Sequence, residues 1–295
     1  MNFKEFKDYI VKSITEKVDE EIRVHIDRVT KNNGLQLDSL VIQNPKRNIS
    51  PNIYLNPYYG QYLDGRSIDD IVEDIYDTYV THMPDKDFDI SIIESFDYAR
   101  EQVIMKLVNY KENKNLLARI PHVPYLDMAI IFQIVLELEK NNTGTITITN
   151  SLFKRWGIEL EQLYEIAKTN TPRLFPYTFD NISEYLPEYV PNTEYRKESN
   201  SVPMYILTNN KKMNGATTLL YEGLLQQIAE EYNCDFILIP SSIHEVILIP
   251  AKNSDEEIID YLNHMVQEVN CCELSADEVL SSHTYYFSRK TACLQ

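Results

Sequence analysis

The stretch Pro240-Ser-Ser-Ile-His-Glu245 puts four chemically able side chains into one short link between two apolar runs. Ser241 and Ser242 are of nucleophile type, His244 is of base type, and Glu245 is an acid of the kind that orients a base. The chemistry in question is hydroxyl activation. That chemistry needs the base to reach the nucleophile while a third group holds the base, and residues this close along one loop seldom satisfy both demands. His244-Glu245 does not open a metalloprotease helix either, because Leu248 stands where the second histidine is required. A structural turn is the plain reading of the loop; a binding site built from Ser241, Ser242, His244 and Glu245 is the functional one. His122 is the other candidate base, set in Ile120-Pro-His-Val-Pro-Tyr125, where two prolines fix the backbone around the imidazole. A small-molecule, hydrolase-like enzyme would draw its catalytic residues from His244, Glu245 and His122.

Gly60-Gln-Tyr-Leu-Asp-Gly-Arg-Ser67 nearly spells a phosphate loop and leads into a helical pattern, but Arg66 replaces the lysine that the pattern requires. Nucleotide hydrolysis is excluded on that residue, leaving Arg66 as a binding candidate for a single anion beside a helix start. Only 7 of 295 residues are glycine, so most glycine-built ligand cradles are ruled out as well. Cys271, Cys272, His283 and Cys293 match no zinc spacing, so neither a metal nor a cofactor is expected. The four cysteines, Cys234 included, read as free thiols of a cytoplasmic protein. The opening residues carry acids in place of a secretory apolar core, and no apolar run is long enough to cross a membrane.

Charge narrows the partners. Lys plus Arg is 28 against 45 Asp plus Glu, a net charge of −17. Residues 1–50 are near balance, nine basic against eight acidic, whereas residues 201–295 hold five against thirteen. Such a surface repels phosphate backbones, so nucleic-acid binding is disfavoured and a protein partner is favoured. The tyrosines, 21 in all, gather at 57–62, 176–195 and 285–287 with few basic neighbours, which suits packing or a protein-binding surface better than a base-stacking platform.

The elements that must position these residues are readable from period. Phe3, Phe6, Ile10, Val11, Ile14 and Val18 share one face of a first helix, and the alternation from Ile22 to Asp27 followed by Asn33-Gly34 predicts a strand and a hairpin with 35–43. Ser67 should cap a helix through Tyr79, with Asp70 at the capping-box position. Residues 126–138 read as a strand returning through Asn141–Gly144 into 145–149. Asn150 should then cap a short helix closed by Gly157, and a second helix covers 160–167. The C-terminal order is strand 204–207, helix 216–232, strands 236–239 and 246–249, and a helix capped by Ser254. No helix separates the last two strands, so they pair antiparallel and the class is α+β. The expected organisation is an N-terminal helix-plus-hairpin unit over 1–115, a hairpin-and-helices unit over 116–177, a Pro/Tyr-rich linker over 178–203, and a strand-helix-strand-strand-helix unit over 204–295. Residues 116–295 could pack as one domain.

Several of these segments also carry a resemblance. Asn32-Asn-Gly34 through Asp38, Ile49-Ser-Pro-Asn-Ile-Tyr54, Pro121-His-Val-Pro124, Asn170-Thr-Pro-Arg-Leu174, Leu207-Thr-Asn209 with Gly215-Ala216, and the 240–245 loop together resemble the bacterial domain-of-unknown-function family 5688. From Pro121 onward the layout is similar to family 1444, whose corresponding loop also carries a histidine. The resemblance implies a cytoplasmic bacterial protein carried by mobile elements, and it supplies no catalytic residue. The leading expectation is a non-enzymatic binding or adaptor protein. The alternatives are the small-molecule enzyme above and an acidic nucleic-acid mimic that binds a basic protein.

Overall fold

Phe6, Ile10 and Ile14 recur every four residues and are fully buried along one side of α1 (Phe3–Lys17). Its start is closed by a reciprocal capping box: the Glu5 N–H donates to the Asn2 side chain, and the Asn2 N–H donates to the Glu5 carboxylate. The structure, a computed structural model, describes residues 1–83, 87, 89, 91–137, 143–185, 203–252 and 256–295. It divides into two compact units, Met1–Ile92 with Glu137–Gly144, and Ile93–Leu136 with Thr145–Gln295.

In the first unit the alternating segment forms β1 (Arg23–Thr30), which pairs antiparallel with β2 (Gln36–Gln43) across a turn where Asn33 and Gly34 both take positive φ. β3 (Asn52–Tyr54) adds to the far edge of β2, and α2 (Leu55–Leu63) and α3 (Ile68–His82) follow. Ser67 occupies the cap position of α3 but its side chain makes no capping hydrogen bond, so the expected box with Asp70 does not close. Leu40 and Ile42 of β2 meet Phe6, Ile10, Ile14, Ile71 and Ile75 in one apolar cluster. Asp38 is buried beside that cluster. Its carboxylate pairs with the Lys7 ammonium and, at 3.4 Å, with Arg28 Nε.

In the second unit α4 (Ser91–Glu94) and α5 (Phe96–Ala99) precede β4 (Val103–Asn109). α6 (Lys114–Leu117) then leads to β5 (His122–Tyr125), β6 (Met128–Glu137) and β7 (Thr143–Thr147). The sheet order is β4-β6-β5, with β7 also on β6. β4, expected within 1–115, therefore belongs to the second unit through its pairing with β6. The expected turn at 141–144 falls mostly outside the described residues. α7 (Asn150–Trp156) is capped by Thr149, one residue before the expected Asn150, because the Thr149 hydroxyl accepts from the Leu152 N–H; Gly157 closes the helix at φ 65. α8 (Leu160–Leu174) runs seven residues past the expected end at Ala167 and through Pro172.

The expected linker begins as structure. β8 (Tyr177–Asn181) pairs with β9 (Tyr205–Asn209) and is followed by α9 (Ile182–Tyr185), while 186–202 lies outside the described residues. The remaining elements are α10 (Leu224–Glu231), β10 (Asp235–Ile239), β11 (Val246–Ala251), α11 (Glu256–Cys272), β12 (Tyr285–Ser288) and β13 (Cys293–Leu294). They build a six-stranded antiparallel sheet in the order β13-β12-β10-β11-β9-β8. The expected helix over 216–232 is split: 215–220 is a 3-10 turn, Tyr221 is extended, and α10 starts only after Gly223 at φ 72. Buried Tyr221 supplies the reason, donating its hydroxyl to the Phe175 carbonyl at 2.7 Å, a bond that fixes the chain there in a non-helical path. The Ser254 cap falls outside the described residues. The class is α+β, and the two late strands pair antiparallel as the missing helix between them requires.

Candidate functional site

Phe236 and Leu238 of β10 and Val246 and Leu248 of β11 are buried in the same apolar cluster as Met128, Ile130 and Phe132 of β6, so the ends of the 240–245 loop are held still. The loop itself is clamped from two sides. On one side the Leu280 N–H donates to the Ser241 carbonyl at 2.8 Å, and the Ile243 N–H donates to the Glu278 carbonyl at 2.9 Å. On the other, the Thr208 hydroxyl donates to the His244 carbonyl at 2.7 Å and the Ala216 N–H to the Ile243 carbonyl at 3.2 Å. Gly215 makes that second side possible: a Cβ there would lie 2.0 Å from Thr208 Oγ1 and 2.2 Å from the His244 carbonyl oxygen.

Two of the loop's polar side chains, Ser242 and His244, are spent on this clamp. Ser242 is buried, and its hydroxyl accepts from the His244 N–H at 3.0 Å. His244 Nδ1 accepts from the Asn214 N–H at 3.4 Å, so the neutral ring carries its proton on Nε2, which faces Glu278 Oε1 at 3.9 Å. Neither ring nitrogen of His244 is directed at a serine hydroxyl. Glu245 is partly exposed and begins β11's approach without a part in the clamp. His122 sits on β5 opposite Ile131 of β6, with Nδ1 against the Ile120 carbonyl at 3.2 Å and its ring edge-on to Tyr110. Arg66 lies in the first unit and is held between Asp74 at 2.8 Å and Gln61 at 2.5 Å. Among the described residues no group of three His, Cys, Asp or Glu is placed to hold a metal, and the four cysteines are free.

Residues that carried no sequence signal make the more open site. Between β5 and β6 the chain turns on Leu126 and Asp127, with Leu126 at φ 56, a conformation that costs a branched side chain on the order of 1–2 kcal/mol. Asp127 holds this turn: its carboxylate accepts from the Ser281 hydroxyl at 2.8 Å and from the Tyr285 hydroxyl. Burial and the adjoining carboxylate both push the Tyr285 phenol well above its usual range, so it stays a donor. Tyr285→Phe should lower the stability of the second unit by about 2 kcal/mol, measured by urea unfolding, since the charged acceptor loses one of its two donors.

Beside this turn lies a cleft of about 430 Å³, lined among others by Tyr125, Leu126, Leu219, Leu225, Phe287 and Leu294. That volume falls in the range of small-ligand sites. Three of its lining residues, Leu126, Gly223 and Ala292, take positive φ, and Leu126 is 47% exposed despite being apolar. Gln226 also lines it; its Nε2 donates to Glu230, while its Oε1 is buried without a hydrogen-bond partner. The cleft wall thus mixes apolar side chains with a large polar share, and the Gln226 Oε1 is sealed from it.

Comparison with known sequences matches residues 3–289 to a family of unknown function, DUF5688. The chain belongs to the DUF5688 family. No curated protein and no solved structure matches it. The likeness to family 1444 stays an expectation. In this DUF5688 protein no helix of the described residues is long and apolar enough to cross a membrane.

Proposed function

We propose that this DUF5688 protein is a non-enzymatic binding protein that takes an apolar side chain of a protein partner into the cleft beside the Leu126–Asp127 turn. The observation that carries the reading is the cleft of about 430 Å³ itself, walled by Tyr125, Leu219, Leu225 and Phe287 and edged by the exposed Leu126. A ligand bringing an aromatic body would cover the exposed Leu126 side chain and stack against the Tyr125 and Phe287 walls, while its polar edge stays at the mouth. An indole or phenol side chain has that chemistry. Strain at Leu126 supports the same place, because left-handed non-glycine residues persist where the surroundings fix them and are concentrated at binding sites. Engagement of His244 Nδ1 and of the Ser242 hydroxyl by backbone N–H groups counts against the hydrolase reading. The four free cysteines and the acidic surface fit a cytoplasmic setting and, with the family resemblance, a bacterial one.

The test is a titration with N-acetyl-tryptophanamide followed by NMR. Shifts should centre on Leu126, Gln226 and Phe287 and saturate, and Leu126→Asp should weaken the binding at least about tenfold. Wild-type protein that shows no saturable shifts, or a Leu126→Asp variant that binds equally well, overturns the reading.

A further inference from the structure

α11 has apolar residues on two sides. Its inward side mixes Ile259, Leu262 and Val266, half-buried to buried, with polar contacts: Asn263 Oδ1 accepts from the Thr284 N–H at 2.7 Å and from its hydroxyl at 3.0 Å, and Asn270 Nδ2 donates to the Ser281 carbonyl at 2.9 Å. Meanwhile Ile258, Tyr261, Met265 and Val269 are 42–65% exposed. With Leu262 and Cys272 they follow the spacing of three and four that lines up one seam of a helix, and Ile258, Leu262, Met265, Val269 and Cys272 keep a strict heptad over four turns. A stripe of this length left in water marks a place where another helix packs.

Charge selects the occupant. α11 contains Glu256, Glu257, Asp260 and Glu268 and no Lys or Arg. At 100° per residue Glu257 and Glu268 fall along the solvent edge of the stripe. A second copy would bring the same carboxylates to face these, within a chain of net charge −17, so self-association is opposed. We propose that the exposed stripe of α11 is a docking surface for a basic amphipathic helix of another protein, whose apolar residues cover Tyr261, Met265 and Val269 and whose Lys or Arg side chains meet Glu268 at the edge of the stripe. This surface is separate from the cleft and stands whether or not the cleft binds anything.

The experiment uses the full chain and two synthetic 18-residue helical peptides with identical leucine heptads, one flanked by lysines and the other by glutamates. The lysine peptide should bind with an affinity that falls as salt rises, and the glutamate peptide should bind at least about tenfold more weakly. The double variant Met265→Ser, Val269→Ser keeps every charge and alters only exposed positions, and it should lose about tenfold or more in affinity for the lysine peptide. Equal binding of the two peptides overturns the proposal. So does an unchanged affinity of the double variant, which would mean that net charge alone attracts the peptide. So does a wild-type dimer that the double variant dissolves, which would assign the stripe to a second copy. Circular dichroism of the double variant should match wild type, and Tyr261→Ser serves as the alternative probe of the same seam if it does not.

Discussion

Gly215→Ala should destabilise the second unit by about 3 kcal/mol, the upper part of the range for forcing atoms into a packed site. The added methyl would meet Thr208 Oγ1 at 2.0 Å and the His244 carbonyl oxygen at 2.2 Å. A side-chain hydroxyl can rotate away, but the carbonyl lies two residues before Val246, where the antiparallel pairing of β11 with β9 fixes the chain even without the Thr208 hydrogen bond. Thr208→Ala removes the first obstacle and leaves the second. The double variant Gly215→Ala, Thr208→Ala should therefore remain less stable than Thr208→Ala alone by most of the same amount. Urea unfolding of the four proteins measures this. A double-mutant cycle in which Thr208→Ala abolishes the effect of Gly215→Ala would show that the backbone approach is not what demands glycine.

The second large effect belongs to Asp38. Lys7→Met leaves a buried carboxylate facing only the more exposed Arg28, and the loss should be about 3 kcal/mol, as for other buried pairs broken on one side. Lys7→Met combined with Asp38→Leu should recover part of that loss, because the charge that needed a partner is gone. The same group predicts a pH dependence. Hydrogen bonding to Lys7 is the largest cause holding the Asp38 carboxyl below its ordinary 3.8, with the charges of Lys7 and Arg28 adding to it. A depressed folded-state value means that the unfolded chain binds the proton more readily. The stabilisation is thus fully present above about pH 4 and is lost as pH falls through the lower folded value. Wild type should lose stability below pH 4 more steeply than Asp38→Asn, and parallel curves would contradict this account.

Much of the scaffold was legible because each element there buries one face at its own period. α1 shows Phe6, Ile10 and Ile14 at four-residue steps, the β1–β2 hairpin alternates around Asn33-Gly34, and β10 buries Phe236 to Ile239 in an unbroken run while β11 buries Val246 and Leu248 on one face. The split of 215–232 was illegible for a related reason. Ala216, Leu219, Leu220 and Leu224 keep a helical period, but the period says nothing of Gly215 pressed against another strand or of a tyrosine hydroxyl claimed by Phe175. The helix expected over 160–167 in fact continues through Pro172 to Leu174, beyond Thr171, whose hydroxyl ties it to Ala167 and to the Met105 N–H. Of the site residues, the sequence showed the serines, His244 and Glu245 as a group but not that the Ser242 and His244 side chains would be turned to holding backbone. The Leu126 turn and its Asp127 anchor were invisible: a leucine at φ 56 contradicts every local preference, and the partners of Asp127 are 154 and 158 positions away.

Those separations bear on how the chain is made. Residues 278–285 supply the hydrogen bonds that seal the 240–245 loop, the Leu126–Asp127 turn and, through the Leu280 carbonyl, Asn109. A nascent chain emerging from the ribosome has synthesised β6 and β10 long before those residues are available to close over them. For that interval its most apolar strands stand uncovered, the circumstance in which partly folded chains aggregate, whereas the hairpin and helices of the first unit are all made within the opening third of the chain.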